Sequence, residues 1–279
     1  MAEGRSSIII SIFSTSSGIG KTITAINLAA GLTHEGYAVC LVDLDLQFGD
    51  IVKYLKLEPQ YTIADANADF KNDAANFDVT NYLTDYHYVG DNGEIKFSVL
   101  APPRMIYDAY RIEVDVVESL IKQLDYFDFI VLDLSAVFST LNVAMLDMST
   151  IINFVGVIDF LPSVKNFKIG YDTLIRFEYE ESKIRLVENR ANSQKLIDGR
   201  DVERLLGETF FHRLPNDFPS VNKSILEGCP LMFAAPSSSL TKSFNDLSGE
   251  YTGRKQQEAA QPMPDANQGF FSKFINMFN

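Results

Sequence analysis

Apolar residues along this chain fall into two textures. Short runs rich in β-branched residues alternate with longer stretches whose apolar positions recur every three to four residues. The short runs are IIISIF (8–13), AVCLVDL (38–44), KFSVLA (96–101), DFIVLDL (128–134), IINFVGVI (151–158) and KIRLVEN (183–189). Most are apolar on both faces, the mark of a strand covered by helices on either side. The longer stretches include KTITAINLAAGLTHEG (21–36), VDVVESLIKQLDYF (114–127) and SVKNFKIGYDTLIRFEY (163–179). The first of these closes on Gly36, a helix-stop signal. Strands that each lead into a helix predict an α/β fold: a mostly parallel, twisted sheet flanked by helices on both faces. Ligands of such sheets bind at the carboxyl ends of the strands.

Two regions depart from this rhythm. Residues 65–92 are rich in Asn, Asp and aromatics and read as a surface excursion between the second and third strands. After Tyr251 comes TGRKQQEAAQPMPDANQ (252–268), polar and without apolar period, which predicts a flexible linker. The expected organisation is therefore one domain over 1–251, a linker over 252–268 and a tail, GFFSKFINMFN, over 269–279. On a helical wheel, Phe270, Phe271, Phe274, Ile275, Met277 and Phe278 of the tail share about half the circle. Ser272, Lys273, Asn276 and Asn279 fill the rest. That segregation predicts an amphipathic helix lying on a membrane surface, with docking into a groove of a partner or of its own domain as the alternatives. One such tail binds weakly, and two on a dimer bind far better.

Composition narrows the function. A net charge of −13 disfavours nucleic acid as a partner, because phosphate neutralisation needs clustered Lys and Arg. The cysteines, Cys40 and Cys229, lie far apart, which fits a reducing compartment and argues against a disulfide framework or a cysteine zinc site. His34, His87 and His212 have no ligand spacing. The apolar N-terminal run leads into a glycine loop and not a cleavage site, so it reads as a buried strand. No run of about 18 apolar residues offers a membrane span.

The chemistry concentrates in STSSGIGKT (14–22), which follows the first strand and opens the first helix. A glycine-bearing loop closing on Lys-Thr is a phosphate cradle: backbone N–H groups and the helix N-terminus point at the anion. Gly18 and Gly20 permit close backbone approach. Lys21 would reach the β- and γ-phosphates, and Thr22 would place its hydroxyl on Mg²⁺. The usual pattern has a first glycine where this chain has Thr15. Asp43 and Asp45 end the second strand run, and Asp133 ends the fourth, where it suits a carboxylate holding the metal's water shell.

Taken together, SSGIGKT, AINLAAGL, VDLDLQFGD, FDFIVLDLS, LVENRAN and LPNDFPSVNKSILEGCPL resemble the MinD/ParA group of deviant-Walker ATPases. Within that group the chain is most similar to the CpaE/TadZ branch associated with pilus assembly. The resemblance implies a P-loop NTPase fold with ATP and Mg²⁺ as cofactors. It implies a nucleotide-binding set of Ser16, Ser17, Gly18, Ile19, Gly20, Lys21, Thr22 and Ile23, with Asn189 at the adenine and Pro215, Asn216 and Asp217 beside the base. It further implies Lys21 and Asp45 as catalytic, Asp45 orienting the attacking water, and Thr22, Asp43 and Asp133 at the metal. Ser16 stands where the group has a signature lysine that reaches the partner's nucleotide in a dimer. Its loss implies weak ATPase activity, weakened dimerisation, or an ATP-bound scaffold. The branch often carries an N-terminal receiver-like domain, which is not expected where the loop strand begins at about residue 8. The implied role is a positioning or assembly protein: cytoplasmic, peripheral to the membrane, homodimeric, and partnered with components of a pilus or secretion machine. A regulator of division-site or flagellar placement is the alternative. DNA partitioning is less favoured.

Overall fold

The computed structural model describes residues 7–193 and 197–253; the expected tail at 269–279 and all but the first two residues of the linker lie outside them. The strands are β1 (Ile8–Phe13), β2 (Val39–Leu44), β3 (Leu83–Gly90), β4 (Gly93–Leu100), β5 (Phe129–Leu134), β6 (Ile151–Gly156), β7 (Ile184–Asn189) and β8 (His212–Leu214). They form one eight-stranded sheet in the order β3-β4-β2-β5-β1-β6-β7-β8. Every neighbouring pair is parallel except β3 with β4. The expected α/β class, with helices on both faces, is the observed one. The chain moves from β1 outward to β4, returns to β5, then crosses β1 to reach β6. The direction of winding thus reverses around β1, where ligands of open α/β sheets bind.

Strand alternation sorts the core into two layers. Ile10, Ile12, Leu41 and Val131 face helices Lys21–His34 and Ser239–Thr252, packing with Leu28, Leu32, Phe244 and Leu247. Phe13, Cys40, Val42, Ile130, Leu132 and Phe154 face the other way, onto helices Val114–Lys122, Thr140–Met148 and Leu161–Arg176. The same two-residue period fixes the site. Counting on from Leu41, Val131 and Val187, it turns Asp43, Asp133 and Asn189 toward the face that carries helix Lys21–His34.

The region read as an excursion is more ordered than that. It contains helix Ile63–Asn72, closed by a capping box between Thr62 and Asp65, and the edge strand β3. β3 pairs antiparallel with β4 from Leu83↔Leu100 to Gly90↔Gly93. The turn between them is Asp91-Asn92 followed by Gly93, and Asn-Gly is a strong hairpin signal that the aromatic and acidic composition obscured. β8, at three residues, is too short to leave a periodic trace.

The second layer is knit by aromatics. Phe167 stacks on Phe154 with centroids 4.7 Å apart, and on Phe210 at 5.9 Å. Gly156 lies beneath that ring, where a Cβ would come within 2.4 Å of it. Phe167→Ala should therefore cost about 3–5 kcal/mol of stability, measured as the shift in urea midpoint at unchanged slope.

Candidate functional site

The loop between Phe13 and Lys21 is tied down at its start. The Ser14 hydroxyl donates to the Ser16 carbonyl at 2.8 Å, and the Thr15 hydroxyl donates to the Asn166 carbonyl at 2.9 Å. Gly18 and Gly20 both take left-handed backbone, φ +68° and +96°. At Gly20 glycine is doubly required, since a Cβ there would lie 2.4 Å from Asn189 Nδ2. That close approach lets Asn189 donate to the Ile19 carbonyl at 2.6 Å, joining β7 to the loop. Helix Lys21–His34 begins with no side-chain cap and no acid in its first turn. Its N-terminal N–H groups and positive dipole end are thus open to an anion. Lys21 is buried beside them.

Below the loop lie two carboxylates. Asp43 and Asp133 are register partners at the ends of β2 and β5, 0% and 1% exposed. Asp43 is held by backbone: its oxygens accept the N–H groups of Asp45 and Ile51, each at 3.2 Å. Gly49 is pressed against it, where a Cβ would sit 2.6 Å from both oxygens. Asp43 therefore shapes the loop that carries Asp45 and Phe48. Asp133 is different, for neither of its buried oxygens accepts a well-formed hydrogen bond. Burial pushes its carboxyl up to about 7, offset in part by the nearby Thr22 hydroxyl and the Lys21 charge. Burial, then the Asp133 charge, also raises Asp43 well above the carboxylate range.

An orphaned buried carboxylate beside Lys21 and Thr22 fits a divalent cation with oxygen ligands. Among the described residues no cluster of three or more His, Cys, Asp or Glu could hold a metal by itself. Mg²⁺, which keeps several waters and takes ligands from a bound phosphate, is suited to such a sparse site.

Above these acids opens a cleft of about 480 Å³. Of the residues singled out in sequence, Ser17, Gly18, Gly20, Lys21, Thr22, Ile23, Asp45, Asn189, Pro215, Asn216 and Asp217 line it. Ser16, Ile19, Asp43 and Asp133 are not among its lining, the two acids being buried beneath it. Asp217 caps helix Phe218–Glu227, accepting from the Ser220 N–H at 3.1 Å, and accepts from the Ser238 hydroxyl at 2.6 Å. Those bonds, led by the one from Ser238, hold its carboxyl below the usual range. The cleft also takes Phe48, Asp50, Tyr54, Arg190 and Phe218, which the sequence reading did not single out. The exposed aromatics Phe48 and Phe218 lie inside two of the quoted motifs, VDLDLQFGD and LPNDFPSVNKSILEGCPL, and membership of those motifs was their one available signal.

The state of Asp133 has a measurable consequence. From the ordinary carboxylate range up to about pH 7, the unfolded chain releases this proton before the folded chain does. Stability therefore falls as pH rises through that window. Asp133→Asn should stabilise the nucleotide-free protein by about 2–4 kcal/mol near pH 8 and by almost nothing near pH 4, measured by urea unfolding. A gain independent of pH would contradict the assignment.

Residues 10–231 match the family model for the CobQ/CobB/MinD/ParA nucleotide-binding domain. No curated protein sequence matches the chain significantly. Among solved structures, a ParA family ATPase from Chlorobium tepidum is 23% identical, with a TM-score of 0.77 over 88% of this chain and 98% of its own. The cell division ATPase MinD of Pyrococcus furiosus is 24% identical, with a TM-score of 0.74 over 88% of this chain and 99% of its own. The septum site-determining protein MinD of Pyrococcus horikoshii, complexed with Mg-ADP, is 20% identical, with a TM-score of 0.76 over 91% and 100%. At such identities the likeness of structure speaks for the fold; the match of the family model over most of the chain places this protein in the CobQ/CobB/MinD/ParA family of nucleotide-binding domains.

Proposed function

We propose that this protein is a Mg²⁺·ATP-binding, slowly hydrolysing positioning or assembly factor of the MinD/ParA type. The observation that carries the reading is the opposition of Lys21 and Thr22, on an uncapped helix N-terminus, to the orphaned carboxylate of Asp133. A MinD of the same fold is complexed with Mg-ADP, the product that the proposed hydrolysis would leave in the site.

The roles follow from placement. Backbone N–H groups from Gly18 to Thr22 receive the phosphates, and Lys21 offsets their charge from within the floor. When bound, Mg²⁺ supplies further charge neutralisation at the β- and γ-phosphates, with Thr22 and Asp133 as its protein side. Asn189, Pro215, Asn216 and Asp217 form the base end of the cleft. Asp45, on the rim that Asp43 braces, orients the attacking water. Ser16 brings no cation to the phosphoryl group, so turnover is slow. A neutral Ser16 also favours a second reading, an ATP-holding scaffold that does not cycle.

Placement in the cell is the outer part of the proposal. The chain works as a homodimer at the inner face of the cell membrane, held there by the tail at 269–279 with Phe270, Phe271, Phe274, Ile275 and Phe278 inserted. Among the described residues no helix is long and apolar enough to cross a membrane. Its cargo is a pilus or secretion machine, in the manner of the CpaE/TadZ branch that its loop resembles. Regulation of division-site or flagellar placement would use the same device. The net charge of −13 weighs against DNA as the surface it works on.

Two outcomes test this. Calorimetry should find Mg²⁺·ATP binding that Lys21→Ala abolishes and Asp45→Ala preserves, while Asp45→Ala lowers steady-state phosphate release by about 10²-fold. Wild-type turnover at the buffer baseline, with binding intact, would leave the scaffold reading. In liposome co-sedimentation with ATP, the full chain should pellet and a chain ending at Gly253 should stay in the supernatant; equal pelleting would rule out the tail as the anchor.

A further inference from the structure

The cleft is lined by two cations, Lys21 from the helix and Arg190 from the loop after β7. Arg190 takes left-handed backbone at φ +57°, which costs a non-glycine residue about 1 kcal/mol or more. Its surroundings hold it there. Its N–H donates to Asn189 Oδ1 at 2.9 Å, and its carbonyl accepts the Ser193 N–H at 3.1 Å. The Ser193 hydroxyl sits 2.9 Å from that carbonyl and 2.6 Å from Asp159 Oδ1, which ties the turn to the end of β6. The next N–H, that of Ala191, donates to the Leu214 carbonyl of β8 at 2.9 Å.

So fixed, the Arg190 side chain crosses to the phosphate loop, where Nη2 donates to the Gly18 carbonyl at 2.8 Å. Among the described residues no carboxylate pairs with it. Arg213, by contrast, pairs with Glu188 and Glu203, Arg200 with Asp198 and Arg204 with Asp201, while Arg104, which likewise donates to carbonyls, lies outside the cleft. A guanidinium carries five N–H donors in a planar fork suited to phosphate. One of them is on Gly18, and the charge stands unneutralised at the mouth of an anion-shaped loop.

We propose that Arg190 is a second phosphate contact of the bound nucleotide, delivered within one chain from the base side of the cleft. It supplies a cation to a loop whose residue 16 is serine, and it clamps β7 to that loop when the site fills. The inference rests on the nucleotide-site reading above. Its ligand class is a nucleoside di- or triphosphate, and its partner atoms are phosphate oxygens.

The test is titration of the full chain with Mg²⁺·ATP and Mg²⁺·ADP at low and high salt, for the wild type, Arg190→Gln, Arg190→Lys and Lys21→Ala. Arg190→Gln removes the charge and, being shorter, also the donor on the Gly18 carbonyl, so its salt dependence, not its affinity alone, reports the lost cation. It should weaken both nucleotides by about 10- to 100-fold. Its affinity should also depend less on salt than that of the wild type, and Arg190→Lys should recover part of the loss. Wild-type affinity and salt dependence in Arg190→Gln would overturn the inference and leave Arg190 as a strut. If Lys21→Ala abolishes binding while Arg190→Gln does not, this inference alone fails. If Lys21→Ala also binds normally, the nucleotide reading fails with it.

Discussion

Asp43 and Asp133 face each other across the register of β2 and β5 at positions that water does not reach. Two carboxylates so placed oppose each other's ionisation, and a buried charge without partners is among the costliest features a fold can carry. The chain resolves the two differently. Asp43 is satisfied by the N–H groups of Asp45 and Ile51, and it converts its burial into control of the loop between them. Asp133 is left orphaned, with only the proximity of Lys21 and Thr22 to temper it. A fold that retains such a cost beneath the floor of a cleft is poised for a cation, which would turn an unfavourable carboxylate into a ligand.

The rest of the architecture keeps that arrangement in place. Parallel pairing brings β1, β2 and β5 to a common carboxyl edge, and strand alternation turns both acids toward helix Lys21–His34. The loop above is stitched on one side to helix Leu161–Arg176 through Thr15, and on the other to β7 through Asn189 and Arg190. The base side is stitched in turn to the strand-β2 side, where Lys56 Nζ donates to the Leu226 carbonyl at 2.7 Å. The walls of the cleft are thus joined by single hydrogen bonds between elements remote in sequence.

Much of this was legible in the sequence. Buried parallel strands announce themselves by unbroken apolar runs, so all six strand runs read there are strands of the sheet, with ends displaced by at most three residues. The phosphate loop and its acids were legible because their chemistry needs fixed residue types at fixed spacing. β3 was hidden because an edge strand has one partner and a wet outer face, so Asp85 and His87 dilute its pattern. Arg190 and Phe48 stood inside quoted motifs, but their place in the cleft was hidden for another reason: it depends on which loops the topology brings together, and no local spacing encodes that. The difference between Asp43 and Asp133 was likewise invisible, since both read as acids ending apolar strands, and only backbone geometry shows which one is already occupied.

On this account Asp133, its carboxyl pushed up to about 7 and so about half protonated near neutrality, waits for the metal of a bound nucleotide. Proton release on binding tests it most directly. Calorimetric titration with preformed Mg²⁺·ADP, in buffers of differing ionisation enthalpy, counts the protons exchanged. The account predicts net proton release near pH 7 that fades toward alkaline pH and disappears in Asp133→Asn. Binding heats identical in every buffer at pH 7 would contradict it, for they would mean that the buried carboxylate is already ionised or never meets the metal.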